Sequence, residues 1–404
     1  MQTRPEFSQD SRNMLAVERQ SRLRESMRRF NVPVMLIVDS VNILYATGAS
    51  NMSIFSTRTP ARYMLLFADG PCILYEYFGC EHLAEALPAI DEVRSARGLC
   101  HVSSGGDMIG QARALAQEIS ETALEFSHPI DCLAVDRFPF PVIDALRAAS
   151  FKLSDSDRVL SAARRIKLDG EIALLREALR RVAAAADNMQ ASLRPGRTET
   201  EIWADFAGPF MASEGQYIAT RLFQSGSRTF PYFQEASDRR AQAGDLVCFD
   251  TDTIGFAGYC TDFSRTYLCG DQKTTGPQID LYLKAKEQLD HNVALIKPGA
   301  AYREIAEQAW PIPKEHQASR YYCVGHGLGM SGEFPNIPHV QPGMDYPIDG
   351  ELEAGMVICI ESYIGSEKSG QGVKLEDQLL VTKQGVERMS AGVPFDERLL
   401  QGAA

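Results

Sequence analysis

The chain has 404 residues, 45% of them hydrophobic and 23% charged, with a formal net charge of -12 at pH 7. That length exceeds what one hydrophobic core usually serves and points to two domains. The acidic balance excludes the basic footprint that a nucleic acid or an anionic membrane surface needs, which leaves small molecules or peptides as partners.

No run approaches the roughly 18 apolar residues of a membrane span, and the polar opening MQTRPEFSQDSRN carries no secretory signal. Nine cysteines without a CxxC pair suit reduced thiols, so the expected location is cytoplasmic. In chain order, residues 19–29 have helical periodicity and residues 32–40 read as a buried strand. Strand-like runs at 63–67 and 72–77 predict a hairpin. Helical segments at 111–118 and 141–149 alternate with a strand at 132–136. Residues 1–158 therefore form a predicted α/β domain without an acidic or histidine cluster at ligand spacing, a scaffold, lid or dimer element.

Residues 159–404 form the second predicted domain. Its clearest helix spans 169–189, with Ile172, Leu175, Leu179, Val182 and Ala186 on one stripe. Pro195-Gly196 ends it, and Thr198 with Glu201 makes a capping box for the next helix. The same layout returns 103 residues later as Pro298-Gly299 and Glu304-Ile305. AGDLVCFD and AGMVICIE repeat too, each closing on an acid six residues after its glycine, Asp250 after Gly244 and Glu361 after Gly355. These repeats imply an internally duplicated domain that sets two acids at equivalent strand ends.

The stretch CFDTDTIGFAGYCTDFSRT (248–266) reads as a hairpin, with Asp250 and Asp252 on one strand face and Asp262 on the partner strand. An isolated Asp-x-Asp is more often a solvated turn, but the duplication supplies further donors. Glu376 follows Glu361 by fifteen residues, as Asp262 follows Asp250 by twelve. His326 lies between the halves, where Gly325, Gly327 and Gly329 permit close backbone approach. One imidazole with five carboxylates suits two divalent ions, manganese, iron, cobalt or zinc, sharing one site. Singly, each member has a plainer reading: His326 as a core histidine, Glu376 with Lys374 as a surface pair. Cys248, Cys260 and Cys359 beside these strands read as small buried apolar residues.

The duplicated acids, the central His326 and the helix KLDGEIALLREAL resemble the creatinase, aminopeptidase P and methionine aminopeptidase superfamily over nearly the whole chain. That resemblance implies an α/β creatinase-like N-terminal domain and a pita-bread catalytic domain. The peptidases have two aspartates eleven apart; here Asp262 lies ten from Asp252 and twelve from Asp250, with Thr251 at the eleventh place. A second peptidase histidine, seven residues after the first, is Glu333 in this chain, and the upstream substrate histidine is absent from SGSRTFPYFQEAS. These departures, with SG-x-RT-x-P-x-FQE, HGLGM-x-x-E and KLEDQ, are similar to the DddP-type dimethylsulfoniopropionate lyases. The similarity implies an iron or related metal pair, a homodimer and C–S β-elimination, with Phe55, Tyr232 and Phe233 facing a sulfonium cation. Those lyases carry an aspartate, proposed as the base, where this chain has Gly332, so Glu333 or Tyr321 is the candidate catalytic group. Two alternatives remain: an Xaa-Pro metallopeptidase in which His339 replaces a missing histidine, and a metal-free binding relative.

Overall fold

The computed structural model describes residues 7–126, 132–340 and 348–401; residues 1–6 of the polar opening lie outside them. Two units follow from the chain's own contacts, Met1–Arg164 and Arg165–Ala404. The sequence-based boundary at 158 falls inside a helix, Asp157–Arg164, whose apolar side (Val159, Leu160, Ala163) is buried within the first unit.

In the first unit, wholly apolar runs become buried strands and amphipathic runs become their covering helices. Helix α1 (Gln9–Arg29) precedes β1 (Val34–Ile37), α2 (Ser40–Thr47), α3 (Ser53–Arg58), β2 (Tyr63–Phe67), β3 (Cys72–Glu76) and β4 (Glu92–Ser95). Helix α4 (Met108–Glu125), β5 (Cys132–Val135), α5 (Phe140–Ala148), β6 (Lys152–Asp155) and α6 (Asp157–Arg164) complete it. The sheet order is β4-β3-β2-β1-β5-β6, with the expected hairpin pairing β2 to β3 antiparallel, Tyr63 opposite Tyr75. Leu115 and Ile119 of α4 and Leu146 of α5 pack on Leu36, Leu65 and Leu133 of the sheet.

The second unit shows the duplication directly. Helices α7 (Asp169–Ser192) and α8 (Glu199–Ala212) lead into β7 (Tyr217–Ile218), β8 (Phe223–Ser225), β9 (Leu246–Asp250), β10 (Thr253–Ile254), β11 (Cys260–Thr261) and β12 (Ser264–Leu268). Helices α9 (Gly276–Ala294) and α10 (Tyr302–Gln308) lead into β13 (Cys323–Leu328), β14 (Gly332–Pro338), β15 (Val357–Ser366), β16 (Gln371–Thr382) and β17 (Gly385–Arg388), before the short α11 (Glu397–Leu400). The first half has sheets β12-β9-β8 and β11-β10-β7, the second β14-β13-β15-β16-β17. Leu179, Val182, Ile202 and Phe206 cover the first half-sheet at Val247 and Phe249. Leu281, Leu289 and Val293 cover the second at Ile358, Ile360 and Leu375. Matching turn glycines take the same left-handed backbone, Gly244 at φ 88° and Gly355 at φ 95°, a conformation closed to most side chains. The Thr198–Glu201 capping box forms as the sequence implies, Thr198 N donating to Glu201 Oε2 at 2.8 Å and Glu201 N to Thr198 Oγ1 at 3.1 Å.

One expectation changes in detail. The 248–266 segment is a hairpin in two pieces: β9 pairs with β12, Asp250 opposite Ser264, and β10 with β11, Thr253 opposite Thr261. Between them the strand breaks, and Asp252 takes φ 37°. Asp250 and Asp252 therefore do not share a face by simple alternation; the break redirects Asp252. Thr251 holds it, its Oγ1 donating to Thr261 O at 3.1 Å and accepting from Phe263 N at 3.0 Å.

Arg265 joins the two halves with no side-chain exposure. Its guanidinium donates to Glu376 O at 2.6 Å, to Val393 O at 2.9 Å and to Asp377 Oδ1 at 3.0 Å. Replacing it strands a buried carboxylate and two carbonyls, which costs about 3–5 kcal/mol. Urea unfolding of Arg265→Met is expected to show a loss of that order; a loss within about 0.5 kcal/mol, the range of ordinary surface changes, would remove Arg265 from this role.

Candidate metal centre

Glu361 on β15 and Glu376 on β16 stand directly opposite in the antiparallel ladder. His326 on β13 is paired with Cys359 of β15, two residues before Glu361. Gly325 and Gly327 flank it because a Cβ there would lie 2.5 Å from Cys359 O and 2.5 Å from Phe334 O, so β13 fits between its neighbours only without side chains. Asp262 arrives from the break between β11 and β12.

Asp262, His326, Cys359 and Glu376 each offer a ligand atom, all within 4.8 Å of one another. His326 Nε2 lies 3.4 Å from Glu361 Oε1, 3.6 Å from Asp262 Oδ2 and 3.9 Å from Glu376 Oε1. The two longer separations exceed hydrogen-bond length but suit donors ranged around an ion. Glu376 Oε1 is buried with no hydrogen-bond partner among the described residues. A buried, unpartnered carboxylate oxygen beside an imidazole is what a cation site leaves behind. The donor set fits a divalent metal held by Asp262, His326, Glu361 and Glu376.

Asp250 and Asp252 stand to the side. Tyr232 donates its hydroxyl to Asp250 Oδ2 at 2.7 Å, and Thr251 N donates to Asp250 Oδ1 at 3.0 Å. Asp252 accepts from the Thr220 hydroxyl and lines the cavity next to Asp262 and His326. The six predicted acids and histidine thus come from both halves of the duplication and converge on one region.

The sequence reading gave Lys374 no role in the site and named it only in the plainer alternative, as a surface partner of Glu376. It is fully buried, with Nζ at 2.6 Å from Glu361 Oε2, 3.1 Å from Glu376 Oε2, 3.5 Å from Asp250 Oδ2 and 2.6 Å from Ser264 Oγ. Its ammonium also sits 4.7 Å from the centre of the Tyr321 ring. The signal lay in GVKLEDQLLV: a lysine two residues from an inward-facing acid shares its face. Cys359, two residues before Glu361, is buried as the sequence implies, with its Sγ donating to Asp262 O at 3.6 Å and lying within 4.8 Å of the donors of Asp262, His326 and Glu376.

Crowded acids in a dry site shift one another. Burial first, then Glu361, pushes the Glu376 carboxyl up to about 8. Burial and the neighbouring Asp250 push Asp252 up to about 6. Burial, then Glu376, raises Asp262 well above the carboxylate range. Burial opposes the His326 imidazolium, but Glu361 outweighs it and raises the ring to about 9. Burial likewise opposes the Lys374 ammonium, and Asp250, Glu361 and Glu376 more than offset it.

A cavity of about 630 Å³ opens on Asp252, Asp262 and His326 and is lined also by Tyr321, Tyr322, Gly332 and Glu333. The two candidate catalytic groups differ in setting. Glu333 Oε2 accepts from Lys167 Nζ at 2.7 Å, and its Oε1 accepts from Met330 N at 3.2 Å, so both carboxylate oxygens are engaged in the wall. Tyr321 faces the same cavity, its phenol raised far above its usual value by burial, then by Glu361 and Asp250. Among the predicted aromatics, Tyr232 is buried with its hydroxyl committed to Asp250, while Phe233 stacks on Tyr321 at 5.2 Å and is 55% exposed, and neither is among the residues that line the cavity. Phe55 belongs to the first unit, edge-on to Tyr77 at 5.8 Å, and does not line this cavity. His339 is 9% exposed, and it too is outside the lining.

Two measurements check this arrangement. Asp262→Ala and Glu376→Ala are each expected to lose bound metal in elemental analysis of desalted protein; full metal content in both would reject the ligand set. Lys374→Met should cost the chelator-treated protein about 3–5 kcal/mol, because three carboxylates lose their buried counter-charge, and added divalent metal should restore most of it. Equal losses with and without metal in urea unfolding would separate Lys374 from the metal site.

The comparisons agree with this geometry. Residues 173–383 match the profile of metallopeptidase family M24. The chain is 32% identical over 371 residues to the dimethylsulfoniopropionate lyase DddP of Roseobacter denitrificans, covering 91% of this chain and 83% of that protein. It is 29% identical over 239 residues to the Xaa-Pro dipeptidase of Pyrococcus furiosus, covering 58% and 65%. Among solved structures, the prolidase from Thermococcus sibiricus superposes with a TM-score of 0.76 at 20% identity, covering 92% of this chain and 96% of its own. The Xaa-Pro dipeptidase from Bacillus anthracis gives 0.74 at 21% identity, covering 93% and 98%. Both share the mixed α/β pita-bread architecture. With the profile spanning more than half of its length, the chain belongs to metallopeptidase family M24.

Proposed function

We propose that this protein is a metal-dependent lyase that acts on a small carboxylate zwitterion by C–S β-elimination, as in the conversion of dimethylsulfoniopropionate to dimethyl sulfide and acrylate. The observation that carries this reading is the placement of Asp252: the broken hairpin turns a carboxylate into the cavity beside Asp262 and His326. The family's peptidases have a single aspartate eleven residues before the next, and this chain has a doublet straddling that position. Full-length similarity to the lyases supports the same choice.

Asp250, Asp252, Asp262, His326, Glu361 and Glu376 would hold a divalent metal pair, which when bound would supply a Lewis-acid anchor for a carboxylate and acidify the C–H beside it. The chain's own groups do the rest. No lysine or arginine lines the cavity among the described residues, and its one basic side chain there, His326, belongs to the metal-ligand set, so a substrate carboxylate would be anchored at the metal end. Aromatic faces of Tyr321 and Tyr322 suit the cationic end of the zwitterion. In the elimination a base takes the proton next to the carboxylate, the C–H electrons form the C=C bond, and the C–S pair leaves with sulfur. Of the two candidates, Glu333 is tied to Lys167, and Tyr321 faces the cavity with its phenol raised far above its usual value, so it would have to give up its own proton before it could accept one. By the same similarity, we propose iron as the metal and a homodimer as the assembly, in a cytoplasmic protein.

The peptidase reading keeps the support of the dipeptidase relatives. Its substitute histidine, His339, lies outside the cavity lining, which favours the lyase.

Metal-loaded protein assayed beside an Xaa-Pro peptide panel is expected to release dimethyl sulfide from dimethylsulfoniopropionate and to leave the peptides intact. Gly332 offers a sharper arm: a Cβ there meets nothing within 4 Å among the described residues, so the position admits a side chain at its first atom. Gly332→Asp is expected to raise dimethyl sulfide release by about 100-fold, the contribution of a placed general base. Peptide hydrolysis with no dimethyl sulfide from either protein would sink the lyase reading.

A further inference from the structure

The cavity is larger than the smallest lyase substrate needs. Dimethylsulfoniopropionate has roughly eight non-hydrogen atoms, which at water's share of about 30 Å³ each occupy on the order of 240 Å³. The cavity holds about 630 Å³, within the range of about 300–1,000 Å³ that takes ligands of drug size. The surplus has a defined wall. On β14, Gly332, Phe334 and Asn336 alternate outward and all three line the cavity. Gly332 is the gap in that row: its backbone lies outside the left-handed region, and its missing Cβ would meet nothing within 4 Å among the described residues. Beside the gap, Phe334 is 42% exposed. Ile254, Leu328 and Met330 add apolar surface to the same cavity; Asp252 and Asp262 stand at the metal end, and Glu333, between Gly332 and Phe334, is drawn to Lys167 Nζ and Met330 N.

We propose that the substrate carries an apolar substituent larger than a methyl group and that this group lies against β14, in the gap at Gly332 and on the face of Phe334. The substrate class is then a carboxylate whose leaving group or chain bears a bulky alkyl or aryl group. This rests on the reading that a substrate carboxylate is anchored at the metal centre. It goes further by assigning the part of the molecule remote from that anchor. A side chain at 332 fills the space, so absence of a side chain is itself the specificity determinant; the residue that would serve as base in the lyases has been exchanged for room.

The test is calorimetric titration of the metal-loaded, full-length protein with propionate and with 3-phenylpropionate. The phenyl compound is expected to bind at least about tenfold tighter, since a buried ring contributes far more than that under ideal packing. Gly332→Phe is expected to bring the ratio of the two affinities close to one. Phe334→Ala, which removes a wall without touching the metal centre, is expected to lower it by severalfold and keeps the test open if Gly332→Phe folds poorly. Equal binding of the two acids by the unaltered protein would overturn the proposal and leave the carboxylate reading standing. A ratio unchanged in both variants would overturn the assigned location. If neither acid binds, the carboxylate anchor fails and the proposal with it.

Discussion

Five carboxylates and one imidazole share a nearly dry interior, and the rest of the second unit is arranged to make that tolerable. Unpaired, so many acids would titrate to neutrality or expel one another from the core. One counter-charge is built in: Lys374 reaches Glu361, Glu376 and Asp250 at 2.6–3.5 Å. It leaves the His326 side less satisfied, with Glu376 Oε1 lacking a partner among the described residues. The site is therefore asymmetric, with an ammonium on one side and a donor cluster poised for metal on the other.

Duplication explains how the acids reach one place. Each half presents a strand whose start is set by a left-handed glycine and whose acid points inward, and each half has its own helical cover. The halves then meet along side chains: Ser264 Oγ donates to Glu376 Oε2 at 2.8 Å, and Arg265 reaches the backbone and carboxylate of the facing strand. Both residues are neighbours of ligands in the chain, so the contacts that hold the halves together also hold the ligands in register. The symmetry is imperfect where chemistry is most specific. Glu361 and Glu376 lie opposite in an unbroken ladder, whereas the first half interrupts its hairpin at 251–252 and 262–263. A break that strains Asp252 into a left-handed conformation is a cost borne at a functional position, where such strain is most often found.

The cavity wall contributed by β13 and β14 has a different logic. Gly325 and Gly327 are there because neighbouring strands leave no room for a Cβ, whereas a Cβ at Gly332 would meet nothing within 4 Å among the described residues. Packing explains the first two and does not demand the third. Its position, next to Glu333 and in the same outward row as Phe334, makes it a matter of what enters the cavity. Glu333 is drawn the other way, toward Lys167 and Met330, which leaves Tyr321 as the candidate acid–base group facing the cavity without a salt-bridge partner.

Much of this was legible in the amino-acid order. Strict spacing of glycine and acid in AGDLVCFD and AGMVICIE exposed the duplication, since equivalent strands must repeat their turn and their inward positions. The Thr198–Glu201 box and the buried β2–β3 hairpin were likewise local, determined by side chains a few residues apart. Phe55 was grouped with Tyr232 and Phe233 on residue type, and only the fold showed that it belongs to another unit. Lys374 is the clearest limit. In the sequence it is a lysine beside a glutamate, most often a solvated pair; only the packing of β16 beneath β12 and β9 turns its side chain into the dry centre of the site. Local pattern determined which residues face inward, because alternation and turn chemistry are properties of neighbours along the chain. Which inward residues meet, and whether a charge finds water or three carboxylates at the end of its reach, was decided by tertiary structure, because that depends on strands brought together from more than a hundred residues apart.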